Sequence, residues 1–336
     1  MRFSLFIYLR ASTNTSISWC GQSNYGNTEF DMIDISNERI IVSGKRSRPI
    51  TLHQVLYNTS STLNLQITKS LAFYYLCTGY PFDIDKIELK VDNMVVEDET
   101  DFRQPFTKQL DTFQIMNVYE LQSMFSLTDK RFLTSLVYYI NGVRENSFDN
   151  LWRSFNSLYS IIIPSGKEFD KLVGMRAFIE THPTEFALTL AHISLDTAAD
   201  IRKLRIREFI LNNWESIGQI NTYVETIKRF SDARIIQVFN DTLIYRSSHL
   251  KSAGKEVEVT THIANCLSSN NQKDKELLCF YVLKYGYFIR NKYFHAEKAD
   301  PYFLLKVTSE TEEMNKLADV FSWFLADLIR CNKLYL

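Results

Sequence analysis

Arg290-Asn291-Lys292-Tyr293-Phe294-His295 is the stretch of this chain best suited to acid–base chemistry on a phosphate. Arginine carries a permanent charge on a planar fork of donors that matches two phosphate oxygens at once. Histidine both accepts and donates a proton near neutral pH. Asn291 adds a neutral donor and acceptor beside them. The segment closes a run that is apolar nearly all round: Leu277, Leu278, Phe280, Tyr281, Leu283, Tyr285, Phe288 and Ile289. Charge at the end of such a run must meet solvent, a partner or an anionic ligand, because unpaired charge is costly away from water. The plainer account is a polar helix terminus, with Arg290 favouring the helix dipole and His295 pairing with Glu297.

An Arg followed by a His after four or five residues occurs three times. Arg48 to His53 has helix-breaking Pro49 after its Arg, and Arg176 to His182 has Ala177 after Arg and Pro183 after His. Only Arg290 combines a polar follower with a long apolar helix leading in. Residues five apart on a regular helix are turned by about 140°, so a kink, a helix end or a second subunit must bring Arg290 and His295 onto one surface.

The densest basic cluster is Arg202, Lys203, Arg205 and Arg207, flanked by Asp200 and Glu208. It reads either as a track for RNA phosphates or as a solvated helix face. Lys45-Arg46-x-Arg48 is a loop with the same two readings. His182, His192, His249 and His262 lack metal-ligand partners at useful spacing. No GxGxxG, P-loop, GxSxG or HExxH is present, so neither a cofactor nor a metal is expected.

Upstream, Phe148, Leu151, Trp152, Phe155, Leu158, Tyr159 and Ile162 form the cleanest amphipathic helix pattern, with Arg153 and Asn156 on its other side. This helix resembles the opening helix of Apea-like HEPN domains, and Arg290-Asn291-x-x-x-His295 resembles the HEPN signature of Arg, a polar residue and then His. The likeness covers roughly residues 140–330 and is carried by these two segments. It implies a helical domain that dimerises, with two copies of the motif meeting across the interface, and a metal-independent endoribonuclease activity. His295 would then be general base or acid for attack of an RNA 2′-hydroxyl on phosphorus, leaving a 2′,3′-cyclic phosphate. Arg290 would stabilise charge on the phosphate oxygens, and Asn291 would orient one of them. A role in phage defence or as a toxin-like effector is a further implication. The alternative is a non-catalytic HEPN-like module that binds a nucleic acid or nucleotide, or scaffolds an assembly; a third reading is an unrelated helical interaction protein.

At 336 residues the chain exceeds one typical domain. Apolar residues make up 45%, enough for sizeable cores, and the ten Gly and six Pro exclude a loop-rich or disordered chain. A net charge of −1 excludes a general polycation, so RNA binding must be local. Five scattered cysteines without a CxxC fit a reducing cytoplasm, the expected location, rather than a disulfide framework or zinc ribbon. No apolar run approaches the ~18 residues of a membrane span, so no membrane partner is expected.

The expected fold is mainly α. Residues 111–336 are read as a HEPN-like helical bundle with extra helices, preceded by a smaller α+β domain over 1–110 with a sensing or regulatory role. In the first part Phe3–Leu9, Phe30–Ile35, Glu38–Val42 and Ile84–Val91 read as strands, and Leu63–Cys77 as a helix stopped by Gly79. The short apolar start mimics a signal peptide but reads as the first strand. The acidic stretch 97–101 reads as a linker. In the second part helices are expected near 148–162, 168–181, 184–193, 196–213, 214–230, 231–246 and 274–296. Residues 252–271 read as loop around a short helix, and Ser309-x-x-Glu312 as a capping box opening a last helix to Arg330.

Overall fold

The computed structural model describes residues 1–10, 16–81, 83–100, 108–294 and 306–336. The chain is mainly α-helical, with an N-terminal antiparallel sheet of six strands. Its contacts divide it into two compact units.

The first unit comprises Met1–Glu145, Arg153–Ile161 and Leu328–Leu336. Its strands are β1 (Arg2–Arg10), β2 (Ser18–Asn24), β3 (Phe30–Ser36), β4 (Arg39–Lys45), β5 (Asp83–Val91) and β6 (Met94–Glu99), in the order β2-β3-β4-β1-β5-β6. The apolar start is thus an interior strand. Phe3, Leu5, Ile7 and Leu9 alternate onto one buried face, where burial stabilises each by roughly 1.5–3 kcal/mol. Helix α1 (Leu52–Tyr57) is capped by Thr51, and α2 (Thr62–Thr78) packs on β3 and β4. Ser61 caps α2 at its start, and Gly79 ends it in the left-handed region at φ +73°.

The acidic stretch is not a linker over its described part: Glu97, Asp98 and Glu99 lie in β6, while Asp101 lies outside the described residues. Asp92 and Asn93 both take positive φ, 48° and 72°, and make the tight turn of a β5–β6 hairpin. Asp98 then meets Lys86 of β5 across the sheet at 2.9 Å, and Glu97 accepts from Leu52 N at the start of α1 at 2.6 Å. After the sheet come α3 (Val118–Leu121), α4 (Ser123–Ser126), α5 (Lys130–Glu145) and α6 (Phe148–Ile162). In α6 the residues Leu151, Trp152, Phe155, Leu158 and Tyr159 are buried, while Arg153 and Asn156 are exposed.

The second unit comprises Asn146–Trp152 and Ile162–Asp327. Its helices are α7 (Glu168–Thr181), α8 (Ala187–Ile193), α9 (Ala198–Arg202), α10 (Ile206–Asn213), α11 (Ile220–Lys228), α12 (Ala233–Thr242), α13 (Ser247–Ser252) and α14 (Glu256–Ser269). Next comes one continuous helical run made of α15 (Asp274–Cys279), a π-helical stretch (Phe280–Tyr285) and α16 (Gly286–Phe294). Helix α17 (Ser309–Arg330) follows.

Three expectations change here. The helix expected over 196–213 is broken at Lys203–Arg205, where the backbone leaves α9 in a tight turn before restarting. The short helix expected within 252–271 is longer than expected and leaves little loop: Val259, Ile263 and Cys266 recur at helical spacing and are buried along α14, which Asn270 ends at φ +48°. The last helix starts one residue earlier in its capping register. Thr308 takes the cap position, its N–H donating to Thr311 Oγ1 at 3.4 Å and its carbonyl accepting from Glu312 N at 3.1 Å.

Candidate functional site

The π-helical stretch organises the region around Asn291. Its i→i+5 spacing adds a residue to one turn, so side chains five apart share a side of the helix. Cys279 and Lys284 are such a pair, as are Phe280 and Tyr285. Buried anchors hold the stretch: Tyr281 donates to Asp196 at 2.8 Å, and Tyr285 donates to the fully buried Glu313. Burial raises both phenols above their usual range, and the neighbouring carboxylates add to it, so both stay protonated donors.

Gly286 then lets the run approach α17. A Cβ there would lie 2.9 Å from the Phe321 ring and 3.0 Å from the Tyr281 carbonyl oxygen. Gly286→Ala is therefore expected to destabilise by about 1–3 kcal/mol in urea unfolding. An unconstrained helical glycine would instead gain about 1 kcal/mol from Ala, so the sign of the change is the test.

From Gly286 onward the helix is regular. Lys284, Tyr287, Phe288, Asn291 and Lys292 fall at i, i+3, i+4, i+7 and i+8, and all line one pocket of about 390 Å³. Helix α7 contributes Phe169, Leu172, Val173 and Arg176, and α10 contributes Phe209, Asn212 and Asn213. Thr226, Arg229 and Phe230, at the end of α11, complete the wall. Four cations line the pocket, and among the described residues no carboxylate does. Arg176 is paired with Glu180 at 2.8 Å, and Lys292 donates to Asn212 Oδ1 at 3.1 Å. Lys284 lies 5.5 Å from the Trp214 ring centroid. Burial, with the like charge of Arg229 behind it, pushes the Lys284 ammonium down to about 8. The Cys279 thiol is pushed up to about 12 by burial and is inert at neutral pH.

The residues expected to carry chemistry are placed as follows. Arg290 Nη1 donates to Asn291 Oδ1 at 2.8 Å, while Asn291 and Lys292 face the pocket. His295 lies outside the described residues. The basic cluster borders a separate concavity of about 600 Å³ beside α12 and is heavily neutralised. Arg202 pairs with Asp241 at 2.7 Å, Lys203 with Asp200 at 2.8 Å, and Arg205 with Glu208 at 2.8 Å and Glu310 at 2.6 Å. Arg207 stands 5.0 Å over the Tyr245 ring. In the first unit Arg46 is committed to the buried Asp31 at 2.7 Å. His192 pairs with Asp319 at 2.8 Å and stacks on Trp323, and His262 meets the Phe230 carbonyl at 3.0 Å.

Lys284, Arg229 and Arg176 were not among the expected site residues. Lys284 did leave a signal, being the one charged residue between Glu276 and Arg290. Arg229 and Arg176 left none, because their role depends on where α11 and α7 pack. No protein-family model, no curated protein and no solved structure matches this chain.

Proposed function

We propose that the chain is an endoribonuclease of HEPN type, cleaving RNA without a metal by 2′-hydroxyl attack on the adjacent phosphorus. Arg290 stabilises the phosphate charge, Asn291 orients an oxygen and His295 moves the proton. One observation carries the reading: Asn291 and Lys292 of the motif segment face a cationic, aromatic-walled pocket, with Arg290 hydrogen-bonded to Asn291. Cations supply the sequence-independent attraction to a phosphate backbone, and aromatic faces suit unstacked bases. In this proposal two copies pair through the helical part, the protein is cytoplasmic, and it acts as a phage-defence or toxin-like effector. No helix among the described residues is long and apolar enough to cross a membrane.

The test is incubation of purified protein with RNA in EDTA, beside Arg290→Ala and His295→Ala. Cleavage that both variants lose, with 2′,3′-cyclic phosphate ends, supports the reading. Equal activity in all three, or none in any, sinks it. The pocket also favours a second reading, a helical module that binds nucleic acid or nucleotide without turnover. RNA retained by the wild type and left intact would establish that one.

A further inference from the structure

Lys284 and Arg229 are like charges close enough for one to depress the protonation of the other. Among the described residues neither side chain has an ion pair, whereas Arg202, Lys203, Arg205, Lys228 and Arg234 of this unit are each matched to an acid. The amine of Lys284 sits against Trp214 and Phe209, on an apolar floor rather than in bulk water. Lys284 is largely withdrawn from water and Arg229 stands exposed at the rim, so like charge meets at one hollow and a bound anion would relieve it.

The hollow itself is of ligand size. Its roughly 390 Å³ falls within the ~300–1,000 Å³ of small-molecule sites. Its chemistry is divided: charge gathers at Lys284, Arg229 and Lys292, while Phe230, Tyr287 and Phe288 supply apolar and aromatic wall. Asn291 spends its oxygen on Arg290, so the polar group it has left is an NH₂ donor. Donors and cations with no lining acid select for an oxyanion, and the planar fork of Arg229 with the point charge of Lys284 suits the several oxygens of a phosphate.

We propose that this pocket binds a phosphate group carried on a flat or apolar organic body, with Lys284 and Arg229 as its two charge partners. The inference goes beyond the ribonuclease reading and stands whether or not the chain cuts RNA. Two sources offer the same chemistry, a nucleotide of bound RNA or a free mononucleotide. Because Lys284 gives up its proton near pH 8, binding is expected to weaken as pH rises through that value. The other charged groups lining the pocket are Arg176, Arg229 and Lys292.

The experiment uses the full chain carrying His295→Ala, so that RNA survives. Calorimetric titration and thermal shift are run with inorganic phosphate, with AMP and UMP, and with a short single-stranded RNA. Lys284→Met and Arg229→Gln are compared with Lys251→Gln, a surface control. Lys284→Met removes a half-buried charge and is expected to fold at least as well as the parent.

The expected result is binding of AMP and UMP that each pocket variant weakens about tenfold or more and the control leaves unchanged. The pH dependence between 7 and 9.5 should be present in the parent and absent in Lys284→Met. Tighter binding of RNA than of AMP, lost in the same variants, assigns the pocket to a backbone phosphate. Mononucleotide binding without RNA binding assigns it to a free ligand. No binding of any probe up to about 10 mM, or equal affinity in parent and pocket variants, overturns the proposal.

Discussion

His295→Ala is expected to lower the rate of RNA cleavage by about 10²–10⁴-fold, and Arg290→Ala by a comparable factor. Proton transfer by a positioned side chain contributes on that order, and so does one preorganised donor facing developing charge. The two substitutions remove different parts of one step. In the proposed mechanism the histidine variant loses proton movement, and the arginine variant loses charge stabilisation. A double variant should therefore be little worse than either single one, because groups acting as a unit are not additive. Lys284→Met separates binding from chemistry: it should weaken RNA binding and raise KM more than it lowers kcat. Single-turnover cleavage with melting curves for every variant measures all of this. Loss of cleavage in the arginine and histidine variants with unchanged melting is the expected pattern, and full activity in His295→Ala would refute the assignment.

Asp232→Ala is expected to cost about 3–5 kcal/mol of stability, the range for removing one partner of a buried charge pair, although Asp274 at 2.7 Å stays with Arg234. Asp232 is fully buried and holds the nearly buried Arg234 by two hydrogen bonds of 3.1 and 2.7 Å. The same carboxylate caps α12, accepting from Arg234 N at 2.9 Å, and ties down the start of α15 by accepting from Lys273 N at 2.5 Å. Burial by itself would raise its affinity for a proton. The Arg234 guanidinium and the Lys273 amide outweigh burial and hold the carboxyl below its usual range. A depressed carboxyl contributes stability that is present above its unfolded value near 4 and lost as pH falls through its lower folded value. Urea unfolding at pH 7 and at pH 3 checks both parts. The gap between wild type and Asp232→Ala should be largest at pH 7 and shrink in acid. A gap independent of pH would place the loss in packing rather than charge.

Lys284→Met should move stability the other way. A lysine whose folded value is lowered to about 8 binds fewer protons folded than unfolded, so the wild type gains stability as pH rises from 8 toward 10.5. At pH 7 the variant should be more stable by about 1–2 kcal/mol, a figure discounted for the partial exposure of the amine. Its advantage should fade above pH 10. Thermal melts across that range measure it.

How much was legible in the sequence follows the range of the forces involved. Strand β1 and helices α2 and α6 repeat apolar residues at the period of their own backbone, the run from Asp274 is a long apolar stretch and α17 opens on a capping signal, and local pattern was enough to read them. Gly79 as a helix stop was equally local, since only glycine takes its φ of +73° without strain. Strand β6 escaped because its acidic composition hid a hairpin in which Asp98 is answered by Lys86 of β5 and Glu97 by the start of α1. Helix α14 was read too short because it buries only a narrow stripe.

The candidate site divides in the same way. The side-chain chemistry of Arg290 and Asn291, and the apolar run that carries them, were determined by residue type and order along one segment. The pocket that Asn291 and Lys292 face was decided only by tertiary packing. A π-helical stretch re-phases the run before Gly286, Gly286 sets its approach to Phe321, and three separate helices deliver Arg176, Asn212 and Arg229. The same packing spent the basic cluster at Arg202–Arg207 on nearby acids and an aromatic ring and left Lys284 and Arg229 without ion pairs among the described residues. Which charges stay available to a ligand depends on distances between residues far apart in the chain, and that is information no local pattern holds.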